Sequence, residues 1–146
     1  MNLALADEFR DVNVPAQQEP LRVAKRAFQA LPDTVEEYYF RGDSGCWEKG
    51  LLNWLRDEGR AEGPAGRITF GISVRMTSNL KKHIVQLPGS LWKPYREDSR
   101  TVLECADLLN YWPEDEGRPA DAGPLRYVAI RVRKRQNELF ADGSER

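Results

Sequence analysis

Two groups of residues in this sequence have the types and spacing to do chemistry. The first is Tyr38-Tyr39-Phe40-Arg41-Gly42-Asp43-Ser44. Successive side chains of an extended strand point to opposite faces. Tyr39, Arg41 and Asp43 therefore share one face, and Tyr38, Phe40 and Gly42 the other. A carboxylate at the end of a strand suits a hard cation such as Mg²⁺, which takes oxygen ligands and keeps several waters. Gly42 lets another group come close to the backbone. The same residues fit a plainer role, because Asp and Ser are both favoured helix caps and one carboxylate does not make a metal site.

The second group is the basic stretch Arg126 to Arg135. As a strand it places Tyr127, Ala129, Arg131, Arg133 and Arg135 on one face and Val128, Ile130 and Val132 on the other. Arginines at every second position stand about 6–7 Å apart. Guanidinium forks bind phosphate in a bidentate manner, so the row can track a nucleic-acid backbone. The alternative is the solvated face of an edge strand, where positive charge blocks edge-to-edge pairing.

Other candidates are weaker. His83 follows Lys81-Lys82 on the outside of an expected helix, without a Ser or Cys partner to make a nucleophilic triad. Glu104 and Asp107 are further carboxylates whose direction the pattern does not fix. Cys46 and Cys105 lie far apart, with no C-x-x-C and no zinc spacing, and read as reduced thiols. No P-loop, G-x-G-x-x-G, H-E-x-x-H or G-x-S-x-G is present.

The elements that position these residues follow from periodicity. Residues 1–19 read as an extended polar lead-in. Pro20 suits a first helical position, and Leu21, Ala24, Phe28 and Leu31 follow at helical spacing until Pro32. Val35 to Gly42 is a strand. A helix capped by Ser44 follows, with Trp47, Leu51, Trp54 and Leu55 on its apolar stripe, ending at Gly59. Arg67 to Met76 alternates as a strand. Thr77 or Ser78 caps a helix with Leu80, Ile84 and Leu87 inward, and Pro88-Gly89 stops it. The pattern weakens from Ser90 to Gly123, where Val102 to Trp112 reads as a strand or a short helix. Leu125 to Arg133 is a strand, with a last short one at Leu139 to Ala141 after a turn at Gln136-Asn137. The alternation predicts an α/β fold: a mixed sheet with helices packed on it, then a β-rich C-terminal part. Asp43 falls at the carboxyl end of a strand, where sites form in such sheets.

At 146 residues, 40% hydrophobic and 31% charged, the composition is that of an ordinary globular chain able to bury a core. No apolar run is long enough to span a membrane, and Met1 to Phe9 has no secretory-signal pattern. A cytoplasmic location follows as an expectation. The net charge of −1 hides a local contrast between acidic Asp33–Glu62 and basic Arg126–Arg135.

Three stretches taken together carry a resemblance. They are Arg10-Asp11-Val12-Asn13-Val14-Pro15-Ala16, then Tyr38 through Cys46, then Leu125 through Arg133. In this order the chain resembles the central part of a bacterial insertion-sequence transposase of the DDE class, in the group whose second acidic motif reads Phe-Arg-x-Asp-Ser/Thr. The resemblance implies a ribonuclease H-like fold in which two Asp and one Glu hold two Mg²⁺ or Mn²⁺ ions. One ion activates the attacking water or DNA 3′-hydroxyl and the other stabilises the leaving oxygen. Asp43 matches the second acid, as a catalytic and metal-binding residue. Arg41 neighbours it, and Arg131, Arg133 and Arg135 fall in the part near DNA. The implied partners are insertion-sequence ends and other transposase subunits, with nucleoid association. Asp7 and Asp11 do not match the family's first Asp, nor Glu138 and Glu145 its last Glu. Residues 20–146 are thus expected to be an incomplete catalytic domain, inactive alone, with a DNA-binding or transposase-binding regulatory role as the alternative.

Overall fold

The structure, a computed structural model, describes residues 5–6, 19–98, 101–109, 111, 113 and 123–134. Arg135, Trp112 and the strand expected at Leu139 to Ala141 lie outside these residues, as do Asp7, Asp11, Glu138 and Glu145. The chain divides into two compact units, the first made of Met1–Arg75 with Trp112–Gly123 and the second of Met76–Tyr111 with Pro124–Arg146.

In the first unit, α1 (Pro20–Gln29) begins as expected with Pro20 at its first position, where the missing N–H has no helical partner to lose. Strand β1 (Tyr38–Gly42) pairs in parallel with β2 (Ile68–Ile72), Tyr38 opposite Ile68 and Gly42 opposite Ile72. A parallel pair needs a crossover, which here contains α2 (Lys49–Arg56). The helix expected from Ser44 starts at Lys49 instead. Residues Ser44–Cys46 form a 3₁₀ turn, and Trp47 leaves it with φ −77° and ψ 82°, outside helical backbone. The cap of α2 is Glu48, whose carboxylate accepts from the N–H groups of Gly50 (2.7 Å) and Leu51 (2.8 Å). Ala24, Leu51, Trp54, Leu55 and Ile68 form the core, with Leu21, Phe28, Phe40 and Phe70 packed against it. Phe28 packs against this core from α1, its ring 5.5 Å from Trp54 and 6.0 Å from Tyr38.

The second unit holds α3 (Ser78–Val85), capped by the Thr77 hydroxyl, which accepts from Leu80 N–H. A three-stranded antiparallel sheet follows in the order β3 (Lys93–Glu97), β4 (Thr101–Asp107), β5 (Val128–Lys134). β3 has no counterpart in the sequence reading. All its side chains are exposed, so it lacks the apolar alternation that marks a half-buried strand. Its register with β4 shifts between Pro94 and Arg96, as edge strands with proline often do.

Val102 to Asp107 is strand rather than helix, with Val102, Glu104 and Ala106 buried on one face. On β5 the face that carries the arginines turns inward only at its first residues, and Arg131 and Arg133 further along it are exposed. Tyr127 and Ala129 are buried, whereas Val128, Ile130 and Val132 are 45%, 62% and 61% exposed.

The fold is therefore mixed α/β, with the expected helices and a β-rich C-terminal part. Its parallel and antiparallel pairings lie in separate sheets rather than in one mixed sheet.

Candidate nucleic-acid interface

Asp43 stands one residue past the carboxyl end of β1, where the Ser73 N–H donates to the Gly42 carbonyl and extends the parallel pairing. The burial pattern of β1 places Tyr39, Arg41 and Asp43 on the exposed face and Tyr38, Phe40 and Gly42 toward the core, as the alternation predicts. Tyr39 donates its hydroxyl to Glu37 Oε2 at 2.9 Å. That bond, with the negative charge beside it, raises the phenol above its ordinary pKa, so Tyr39 is not an activated proton donor.

The Asp43 carboxylate works locally. Its Oδ1 accepts from Gly45 N–H at 2.9 Å and caps the 3₁₀ turn, the plainer of the two sequence roles. Gly42 is required by contact rather than by torsion. A Cβ there would lie 2.6 Å from Cys46 Cβ and 2.8 Å from its sulfur. The turn thus folds tightly back on the strand end. Burial raises the Cys46 thiol pKa and the Asp43 charge adds to the effect, so the cysteine is an unactivated packing group.

Among the described residues, no three of His, Cys, Asp or Glu stand close enough together to hold a metal ion. Asp43 alone does not fit a two-ion centre, which needs several converging carboxylates. Mg²⁺ or Mn²⁺ stays an expectation of the resemblance.

Glu104 and Asp107, the carboxylates of undefined direction in the sequence, both engage arginines. Asp107 holds Arg126 through a fork, Nε at 2.6 Å and Nη2 at 3.1 Å. Glu104 is buried, at 5% exposure. Its Oε2 accepts from Arg131 Nε at 2.7 Å, and its Oε1 lies 3.5 Å from Arg133 Nη2. The Arg131 guanidinium also lies over the Trp92 ring, 4.1 Å from its centroid, and Trp92 is itself buried.

Two of the predicted arginines are thus drawn together on a single carboxylate. Sequence reading missed this arrangement because β4 places an acid where an apolar residue belongs. The register that sets Glu104 opposite Arg131 becomes visible only once the strands are paired. Arg41 is exposed on β1 in the first unit. His83 lies on the exterior of α3 as expected, its ring 5.2 Å from Tyr111. Cys46 and Cys105 are free thiols. Among the described residues, no helix is long and apolar enough to cross a membrane.

No family model matches this chain, and no curated protein or solved structure matches it.

Proposed function

We propose that this chain is the central part of a DDE transposase catalytic domain of ribonuclease H-like fold, with a DNA-contacting role and no strand cleavage of its own. The observation that supports the reading best is the position of Asp43. It is exposed just beyond the carboxyl end of a strand in a parallel pair, with Arg41 two positions earlier on the same face. In this reading Asp43 is one acid of three. Arg41, Arg131, Arg133 and Arg135 contact phosphates of insertion-sequence DNA, and the complete domain uses Mg²⁺ or Mn²⁺.

A second reading, a regulatory module that binds DNA without catalysis, draws on the paired Arg131 and Arg133 guanidiniums. Both readings expect the purified chain to bind duplex DNA at low salt. Incubation with DNA and Mg²⁺ should leave the DNA uncut. Metal-dependent cutting that disappears in Asp43→Asn would overturn the claim of incompleteness and favour the enzyme. Absence of any binding at low salt would overturn both.

A further inference from the structure

Arg131 and Arg133 are long side chains on a strand face, and free in solution each samples many rotamers. Holding such a side chain on a ligand carries an entropic cost. The structure removes much of that freedom before any ligand arrives. Glu104 reaches both guanidiniums, one on each carboxylate oxygen, at 2.7 Å and 3.5 Å. Trp92 lies beneath Arg131 as a flat support.

The carboxylate is 7% exposed, whereas the Arg131 and Arg133 side chains are 43% and 64% exposed. The acid is therefore under the arginines and the water is over them. Arg131 contacts Glu104 through Nε and Arg133 through Nη2, so neither guanidinium commits all its donors to the carboxylate. Two guanidiniums and one carboxylate leave a net charge of about +1, presented outward.

We propose that Glu104 is a positioning residue. With Trp92 it fixes Arg131 and Arg133 side by side as one fork that receives a single phosphodiester group on its outer side. This rests on the DNA-binding reading and names the residues that make the arginine row competent. The rival physical view has the opposite sign. If Glu104 merely neutralises the arginines, it competes with phosphate, and removing its charge strengthens binding.

Glu104→Gln separates the two views, because it keeps the shape and raises the local charge. The probe is a fluorescein-labelled mixed-sequence duplex of about 20 base pairs, titrated with the full chain across a range of salt. The proposal predicts that Glu104→Gln weakens binding about fivefold, despite the added positive charge. It also predicts that Trp92→Leu, which alters no charge, weakens binding about threefold. A loss of fold alone would not reproduce this pattern when both variants retain the wild-type circular dichroism. If either variant misfolds, ¹⁵N relaxation at the arginine Nε of the unliganded wild-type chain decides the matter. Arg131 should be ordered, with an order parameter above about 0.6, and exposed Arg41 should not.

Binding by Glu104→Gln equal to or tighter than wild type overturns the proposal, as does an Arg131 Nε as mobile as that of Arg41. Failure of the wild type to bind the duplex at low salt would instead overturn the DNA reading beneath it.

Discussion

Removing the Arg60 side chain should destabilise the first unit by several kilocalories per mole, although Arg60 touches no candidate site. Its guanidinium is buried in the turn after α2 and donates to four backbone carbonyls. Nε reaches Trp54 O at 3.0 Å and Nη2 reaches Leu55 O at 3.2 Å. Nη1 reaches Pro64 O at 2.5 Å and Gly66 O at 2.7 Å. The Trp54 and Leu55 carbonyls belong to the last turn of α2, which has no helical partners for them.

Burial lowers the Arg60 pKa, with Asp57 and Glu58 opposing it, yet an arginine so placed stays charged at neutral pH. A hydrogen bond from a charged donor contributes about 1.5–3 kcal/mol. The Pro64 and Gly66 carbonyls can hydrate if the loop lifts, so the two helix-end bonds set the scale. Arg60→Ala should therefore lose about 3–5 kcal/mol, and Arg60→Lys, which keeps the charge without the fork, about 2 kcal/mol. Urea unfolding followed by tryptophan fluorescence reads this as a lower midpoint at constant slope. An Arg60→Ala chain within about 0.5 kcal/mol of wild type would refute the reasoning, since a surface substitution does no more than that.

Further outcomes follow from the same geometry. Gly42→Ala should destabilise by about 1–3 kcal/mol, because its Cβ meets Cys46 at 2.6 Å. Gly71→Ala, on the partner strand opposite Arg41 and with nothing within 4 Å, should not destabilise in the same unfolding measurement. Arg126, through its hydrogen bonds, holds the Asp107 carboxyl below its ordinary pKa. The stabilisation from this pair is thus complete above the unfolded Asp pKa of about 3.9 and is lost as pH falls through the lower folded value. In carboxyl NMR titration, Arg126→Ala should move the Asp107 midpoint upward. Ile130→Thr should change stability by less than about 0.5 kcal/mol, because that side chain is already 62% exposed.

Sequence periodicity located the elements whose burial is one-sided. Leu21, Ala24 and Phe28 sit on the core side of α1, and the alternation of β1 put Arg41 and Asp43 together on the outside. It did not locate β3, because Lys93 to Glu97 is exposed on both faces and so carries no periodic signal. It misplaced the start of α2, because Ser44 is a good cap in isolation but the chain turns through Ser44–Cys46 before Glu48 takes that role. The position of Asp43 was readable from the sequence, and so was its competing role as a cap.

The Glu104 partnership was not legible. A buried acid satisfied by arginines from another strand depends on register, which lies outside any single segment. Nor could the sequence show that the aliphatic face of β5 is the exposed one. A Val-Ile-Val stripe reads as inward unless the packing of the opposite face, here Tyr127 and Ala129, is known.

The most direct test of the account is the salt dependence of duplex DNA binding by the purified chain, wild type against Arg131→Ala/Arg133→Ala. If these guanidiniums contact phosphate, wild-type affinity should fall linearly on a log–log plot against salt. The double variant should bind more weakly, with a slope smaller in magnitude by about 1, since the two arginines share one phosphate and each phosphate contact contributes about 0.9. A wild-type chain that fails to bind at low salt, or a double variant with an unchanged slope, would contradict it.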